Sequence, residues 1–377
     1  MPVIPGAYAY TGLEAVRWDK PLLEALIEES DRIGAQRVLI VASPSLRSSS
    51  NQVDLLAERL GDRCIGIFDE LQPHTPIPCA RALHCMAKDC AADLLVTLGG
   101  GTPIDTSKVV LAMLAAGVSD PMAVADQRND WTLPPIRQIA CPTTLSGAEY
   151  SDVAGLTDPD TRIKHMVMGR GIGPAVVVLD PKMAAQTPVD LWTSTGLRAV
   201  DHAVETICSI APTRYTSLLA LGALEALPSA LRASAGNPAD PQSRLEGQLA
   251  AWMASAGLNR TPYGASHGIG HQLGAVAGVP HGLCSCTVLP AVLDWNLGHT
   301  VKAQAEIARA LSSRAAAGGV RQLVADLKLP SRLSDVGVKR DQLVEIAQKS
   351  VPNRWVRANP RPIQSHRDIL EILEAAF

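Results

Sequence analysis

Four of the nine histidines of this chain fall between Arg198 and His281, in GLRAVDHAVE and SHGIGHQLGAVAGVPHG. His267 and His271 stand four residues apart, so on a helix they share one face. His281 follows past a passage rich in glycine and closed by Pro280, which lets the chain fold back. His202 lies upstream in a helical pattern and can approach the same point. Such a group supports two kinds of chemistry. The four imidazoles could hold a divalent metal, which would polarise a carbonyl. Without a metal they donate hydrogen bonds and protons near neutral pH. Arg198 argues for the second. It precedes His202 by four residues, so both side chains point the same way. A guanidinium cannot ligate a metal, and its fixed charge repels one. It can grip a carboxylate with two hydrogen bonds. Asp201 points to another side of the helix, where it either pairs with Arg198 or faces solvent.

A second group lies in DLLVTLGGGTPIDTSK. An apolar strand runs into Gly99-Gly100-Gly101-Thr102-Pro103, and a helix follows with Asp105 and Thr106 in its first turns. Bare N–H groups and the dipole at such a helix start suit a pyrophosphate. Three adjacent glycines differ from the spaced dinucleotide fingerprint, and a tight βα connection without ligand has the same local form. The alternating strands and helices upstream favour a ligand, because such sheets bind at the carboxyl ends of their strands. The loop after Ile139–Cys141 offers the hydroxyls of Thr143, Thr144 and Ser146, suited to a nicotinamide amide or a ribose. Arg162, Lys164 and His165 either meet that loop or belong to a solvated strand.

The elements that must position these groups fall into two parts. Up to about residue 184 the pattern alternates. Helices are expected from Pro21 to Ile33, capped by Gly34, and over NQVDLLAERLG and CARALHCMAKDCAA; buried strands are expected over RVLIVA, CIGIF and AVVVLDP. From 185 the periodicity is almost wholly helical and rich in Ala and Leu. The expected organisation is an α/β Rossmann-like domain over 1–184 and an all-helical domain over 185–377. Apolar residues make up 47% of the 377, which excludes disorder. The net charge of −3 gives no reason to expect nucleic acid or an anionic membrane as partner. No apolar span is expected to reach membrane length, and the start MPVIPGAYAYTG does not read as a signal peptide. The eight cysteines make no disulfide framework or paired zinc motif, which points to reduced thiols in a cytoplasmic protein.

These motifs resemble the iron-containing (group III) alcohol dehydrogenase family, whose fold is shared with dehydroquinate synthase. The family's GGGSxxDxxK turn appears as Gly99 to Lys108 and its PTTxGTGSE loop as Pro142 to Glu149. Its HAxE helix is His202 to Glu205. Its HxxxH and PHG steps are His267, His271 and Pro280-His281-Gly282, and its LPxVxxFN step runs from Leu289 to Asn296. In metal-using members the ligands match His202, His267 and His281, together with an Asp at the position of Arg198. The resemblance is nearest to the maleylacetate reductase branch, through Thr193 to Ala199, the CPTT loop and Ala358-Asn359-Pro360-Arg361-Pro362. That branch carries Asn at the Arg198 position and works without metal. This chain departs further with Arg, and Trp18-Asp19-Lys20 replaces the usual FGxG step.

The resemblance implies NADH or NADPH as cofactor, with its pyrophosphate at Gly99 to Thr102. Ser43 stands where NAD-preferring members often carry Asp, so a 2′-phosphate meets no carboxylate. It implies reduction of an unsaturated oxo-dicarboxylate, maleylacetate to 3-oxoadipate or a close analogue, with no metal. His202, His267, His271 and His281 would hold the keto oxygen and help protonation, with Arg198 and Lys164 on the carboxylates. The alternative is a metal-dependent alcohol dehydrogenase that interconverts an alcohol with an aldehyde or ketone. A homodimer, common in the family, is also implied.

Overall fold

The computed structural model describes residues 7–126, 128, 129, 134–161 and 163–377. The first six residues, Gln127, residues 130–133 and Arg162 lie outside the described residues, and so does the start of the expected N-terminal extended segment. The chain divides into two compact units, Tyr10–Thr187 and Pro188–Phe377, with the described residues before Tyr10 joined to the second. Thr187 still belongs to the first because its hydroxyl donates to the Thr143 carbonyl at 2.7 Å. The Tyr8 hydroxyl donates to the Ala256 carbonyl of the second at 3.1 Å.

In the first unit the strands are β1 (Ala15–Arg17), β2 (Val38–Ala42), β3 (Cys64–Phe68), β4 (Leu94–Gly99), β5 (Arg128–Asn129), β6 (Arg137–Pro142), β7 (Val153–Asp158), β8 (Ile163–Gly169) and β9 (Val176–Val178). Its helices are α1 (Leu22–Ile33), α2 (Pro44–Ser49), α3 (Gln52–Leu60), α4 (Ile77–Asp89), α5 (Gly101–Ala116) and α6 (Pro181–Ala184). Six strands run parallel in the order β1-β9-β6-β4-β2-β3. VLIVA in β2 and LLVTLG in β4 are buried throughout, because helices cover both faces of a parallel sheet. Strand alternation splits them between two cores. Val38, Ile40, Leu94 and Val96 join one; Leu39, Val41 and Leu95 join the other. Gly34 ends α1 in the left-handed conformation, as its sequence position predicts. The chain steps outward from β2 to β3, then returns past β2 to β4 and β6. That reversal opens a crevice at the carboxyl ends of β2 and β4.

Residues 163–169 form a strand, as one of the two sequence readings has it, but not a solitary one. β8 pairs antiparallel with β7 and parallel with β5 in a separate three-stranded sheet.

The second unit is helical. It contains α7 (Val189–Cys208), α8 (Arg214–Gly236), α9 (Pro241–Ala254), α10 (Ala265–Ala277), α11 (His281–Asn296), α12 (Val301–Ala310), α13 (Ala316–Asp326), α14 (Gln342–Ser350), α15 (Arg354–Arg357) and α16 (His366–Ala375). One correction concerns α8. At 23 residues it is long and apolar enough to cross a bilayer by length and composition. It buries Ala223, Leu224, Leu227 and Leu231, and its Arg232 pairs with Asp326 of α13 at 2.7 Å. Close packing in this unit rests partly on glycine: a Cβ on Gly282 would lie 2.7 Å from the Ser194 carbonyl carbon, so α11 starts directly against α7.

Candidate active site

The first unit gathers most of the residues assigned to a cofactor. Gly99 ends β4 with φ 141°, a backbone that L side chains rarely adopt. Gly100 is extended and Gly101 opens α5. The three missing side chains leave room for three neighbours. A Cβ on Gly99 would lie 2.9 Å from Ser43 Oγ, one on Gly100 3.0 Å from Thr144 Cγ2, and one on Gly101 3.3 Å from Ser146 Oγ. The Ser43 N–H donates to the Leu98 carbonyl, and the Thr143 N–H to that of Gly99. Ser43, Gly99, Gly100, Gly101, Thr143, Thr144 and Ser146 are thus brought together at the crevice, beside the start of a 16-residue helix whose N-cap, Gly100, supplies no side-chain cap. Thr102 follows in the first turn of α5. Asp105 serves a different partner: it accepts from the Gly155 N–H at 3.3 Å and pairs with Lys108 at 3.4 Å.

Lys108 is fully buried, and its ammonium donates to the carbonyls of Ala148 and Val153 and to Ser151 Oγ. It ties α5 to the hydroxyl-bearing loop and to β7. Glu149 ends that loop, buried, and its Oε2 has no hydrogen-bond partner among the described residues. Burial raises its carboxyl to about 7. Lys164 lies on β8 across the face of Gly155, in this unit rather than among the helices that carry Arg198.

The second unit carries the histidines. His202 is on α7, His267 and His271 are on α10, and His281 is the first residue of α11. They form two pairs rather than one group. The rings of His202 and His267 stack with centroids 5.0 Å apart. Those of His271 and His281 meet edge to face at 5.8 Å. Trp355, at the start of α15, contacts both pairs, 4.4 Å from His271 and 6.0 Å from His267.

Under the first pair runs a buried polar network. Arg198 Nη1 lies 3.3 Å from Asp201 Oδ2 and 3.3 Å from Ser285 Oγ. The hydroxyls of Ser285 and Ser266 donate to Asp201 Oδ2 at 2.7 and 3.0 Å. Glu205 accepts the backbone N–H groups of Ser266 and His267, and its Oε2 lies 2.6 Å from His267 Nδ1. The two expectations left open for Asp201 are decided: it is fully buried and paired with Arg198. Burial and the Arg198 charge hold His267 down at about 3, and burial keeps His202 well below the usual imidazole range. Both rings are neutral at pH 7, and His267 Nδ1 shares a hydrogen bond with Glu205 whose direction follows the imidazole tautomer. Burial lifts Glu205 to about 7 and raises Asp201 as well.

The fold family implies a divalent metal here. The donor atoms that converge, within 4.8 Å of one another, belong to Asp201, Glu205 and His267. Among the described residues His202, His267 and His281 form no such group, and the His281 ring lies edge to face against His271. Donors already occupy the converging atoms: Asp201 Oδ2 has two hydroxyls and a guanidinium, and Glu205 has two N–H groups and an imidazole. A positive charge stands 3.3 Å from the acid that a cation would need. Asp201 Oδ1, His202 Nδ1 and His267 Nε2 have no hydrogen-bond partner among the described residues, but with the Arg198 guanidinium paired to Asp201 the residues present do not fit a divalent ion in this arrangement.

Sequence reasoning singled out the histidines and Arg198 but assigned no role to Glu205, Ser266, Ser285, Trp355 or Asn359. Glu205 had a signal, standing four residues after Asp201 and seven after Arg198 on one helix. Asn359 explains the ANPRP step. Its Oδ1 accepts the Ala265 N–H at the start of α10, and its amide pairs reciprocally with that of Asn296 at the end of α11. The motif therefore holds the two helices that carry three of the histidines.

Comparison with known proteins agrees with these features. Residues 15–181 match the family described as Iron-containing alcohol dehydrogenase, and residues 192–377 match Fe-containing alcohol dehydrogenase family, C-terminal. The chain is 29% identical to a maleylacetate reductase of Burkholderia cepacia, covering 93% of this chain and 92% of that one. It is 28% identical to an NAD-dependent methanol dehydrogenase of Bacillus methanolicus, covering 92% and 93%. The crystal structure of maleylacetate reductase from Agrobacterium tumefaciens superposes with a TM-score of 0.86 at 26% identity, covering 100% of this chain and 99% of that one.

Proposed function

This chain belongs to the iron-containing alcohol dehydrogenase family and is a nicotinamide-dependent oxidoreductase; on that premise we propose that it reduces an unsaturated oxo-dicarboxylate, maleylacetate or a close analogue, without a metal. The observation that carries this reading is the buried Arg198 guanidinium, paired with Asp201, where a metal-using relative needs an acid. A fixed cation beside neutral imidazoles suits an anionic substrate better than a neutral alcohol. The maleylacetate reductase relative supports the same substrate class.

In this reading the glycine turn and the start of α5 bind the pyrophosphate of NADH or NADPH. A nicotinamide bound there would supply hydride to the activated C=C, which leaves the electron pair on the keto oxygen. That enolate then takes a proton to give the saturated oxo-acid. Of the two histidine pairs, the half-buried His271 and His281 face the reacting atoms, with an imidazole N–H on the keto oxygen, and the buried His202 and His267 lie beside Arg198 and Glu205. Arg198 binds a carboxylate. Trp355 holds both histidine pairs in place by ring contact. The expectations of a cytoplasmic homodimer go with this reading.

A second reading has its own observation. Asp201, Glu205 and His267 do converge, and a relative is a methanol dehydrogenase. A metal-dependent alcohol dehydrogenase would need Arg198 to swing away and free those atoms. One experiment separates the two. Purified enzyme is assayed with oxo-acids, aldehydes and alcohols, with NADH and NADPH in parallel, before and after exhaustive chelation. Oxo-acid turnover unchanged by chelation is the expected result. Alcohol or aldehyde turnover that chelation abolishes and a divalent metal restores would overturn the proposal.

A further inference from the structure

We propose that Asp201 and Ser285 are positioning residues that set Arg198 to take a ligand carboxylate on one defined edge; this rests on the oxo-acid reading of the site. A guanidinium is planar and has two usable edges, so one arginine can bridge two carboxylates. Here a single nitrogen serves the protein. Nη1 donates to Asp201 Oδ2 and Ser285 Oγ, each at 3.3 Å, while Nε and Nη2 make no hydrogen bond among the described residues. The side chain retains 11% of its surface, enough for a ligand to reach it.

The partners of Nη1 come from two helices, Asp201 from α7 and Ser285 from α11. They are not free to drift. Ser285 Oγ donates to Asp201 Oδ2 at 2.7 Å, and Ser266 of α10 donates to the same oxygen at 3.0 Å. Gly270 of α10 faces the same nitrogen; a Cβ there would lie 4.0 Å from Nη1. One nitrogen pinned from two sides fixes the direction of a planar group, so the Nε–Nη2 edge has a set aim. That edge matches the two oxygens of a carboxylate in a bidentate pair. The internal acid also explains how a cation is tolerated in a buried site before substrate arrives: Arg198 and Asp201 neutralise each other.

The test uses succinate as probe and succinamide as its neutral counterpart. Binding to the NADH-loaded enzyme is followed by tryptophan fluorescence, so no turnover is needed. Wild-type enzyme is expected to prefer succinate about tenfold or more, the equivalent of one charge-assisted hydrogen bond. Arg198→Met should abolish the preference, and Arg198→Lys should not restore it, because an ammonium has no fork. Asp201→Asn and Ser285→Ala should each cut it about fivefold or more, the loss expected when an orienting hydrogen bond goes. Their NADH affinity should stay unchanged. With an oxo-acid that is turned over, both should raise KM and leave kcat within about twofold, as loss of substrate binding alone does. If Asp201→Asn and Ser285→Ala keep the wild-type preference while Arg198→Met loses it, the positioning role is overturned and the Arg198 anchor stands. If Arg198→Met also keeps it, both fall. If the preference behaves as expected but no oxo-acid is reduced, the substrate proposal fails and the positioning role survives.

Discussion

Ser43 Oγ lies 2.9 Å from the point where a side chain on Gly99 would begin, so the end of β2 and the turn after β4 touch only because residue 99 has no Cβ. Pro103 Cγ lies equally close, and the φ of 141° disfavours any L residue. Gly99→Ala would push the turn off Ser43 and redirect the first N–H groups of α5. The expected cost in stability is modest, about 1–3 kcal/mol for overpacking. The larger effect falls on the dinucleotide: its Kd should rise about tenfold or more, as misplaced phosphate donors cost at least one hydrogen bond. Titration of NADH fluorescence measures this. An unchanged Kd would remove the pyrophosphate from this turn.

The Arg198–Asp201 pair carries the next expectation. Replacing Arg198 by Asp removes the cation and leaves two acids near Glu205 and His267. Released from the guanidinium, Asp201 Oδ2 and the new carboxylate resemble the hard donors that divalent ions select. Arg198→Asp is expected to retain close to one divalent ion per chain after dialysis against zinc or manganese. The wild-type chain should retain none. Elemental analysis reads both, independent of activity. Retention of stoichiometric metal by the wild type would contradict the metal-free proposal.

Glu149 predicts a pH dependence of stability. Its folded pKa of about 7 stands above the ordinary glutamate value of 4.5, with burial as the first cause. Between these values the folded chain holds a proton that the unfolded chain has released. Stability therefore falls as pH rises from about 4.5 to about 7 on account of this group, and levels off above. The contribution is at most about 3.5 kcal/mol, because each tenfold gain in proton affinity on folding is worth about 1.4 kcal/mol. Glu149→Gln keeps the neutral form at all pH values. It should match wild type near pH 4 and be more stable at pH 8, by urea melts at both. An equal difference at the two pH values would show that Glu149 does not titrate in this window.

How far the sequence foretold this molecule depended on whether the deciding contact was local. VLIVA and LLVTLG read as strands because burial on both faces leaves one apolar run. The glycine turn was legible because backbone shape restricts residue type. The helical half announced itself by period. The β7–β8 hairpin was legible only in part, as the strand reading of 161–169: β7 buries alternate residues, Ala154 and Leu156, but Gly155 between them and Asp158 at its end have little strand character. The fate of Asp201 was not legible. An acid inside an amphipathic helix reads as solvent-facing, and it is buried only because Ser266 and Ser285 bring hydroxyls from two later helices. The split of four histidines into two pairs is equally non-local, since Trp355 lies far along the chain.

Asn359 gives the sharpest test of how the histidine helices are held. Its Oδ1 accepts from Ala265 N–H at 3.1 Å and Asn296 Nδ2 at 3.0 Å, and its Nδ2 donates to Asn296 Oδ1 and the Arg361 carbonyl, both at 2.7 Å. All four bonds end on buried or half-buried groups. Asn359→Ala would strand the first N–H of α10 and Asn296 Nδ2, and leave Asn296 Oδ1 only the long bond from the Arg361 N–H at 3.4 Å. Each unsatisfied buried group costs about 1–3 kcal/mol, so a loss of about 3 kcal/mol or more is expected. The same change loosens the turn that carries Ser266 and His267, so kcat should fall with little change in NADH affinity. Asn359→Asp keeps the acceptor for Ala265 and Asn296 but loses both donations, and should lie between the two. Urea melts and steady-state kinetics on the three proteins check the order. If Asn359→Ala is as stable and as active as wild type, the motif does not hold these helices.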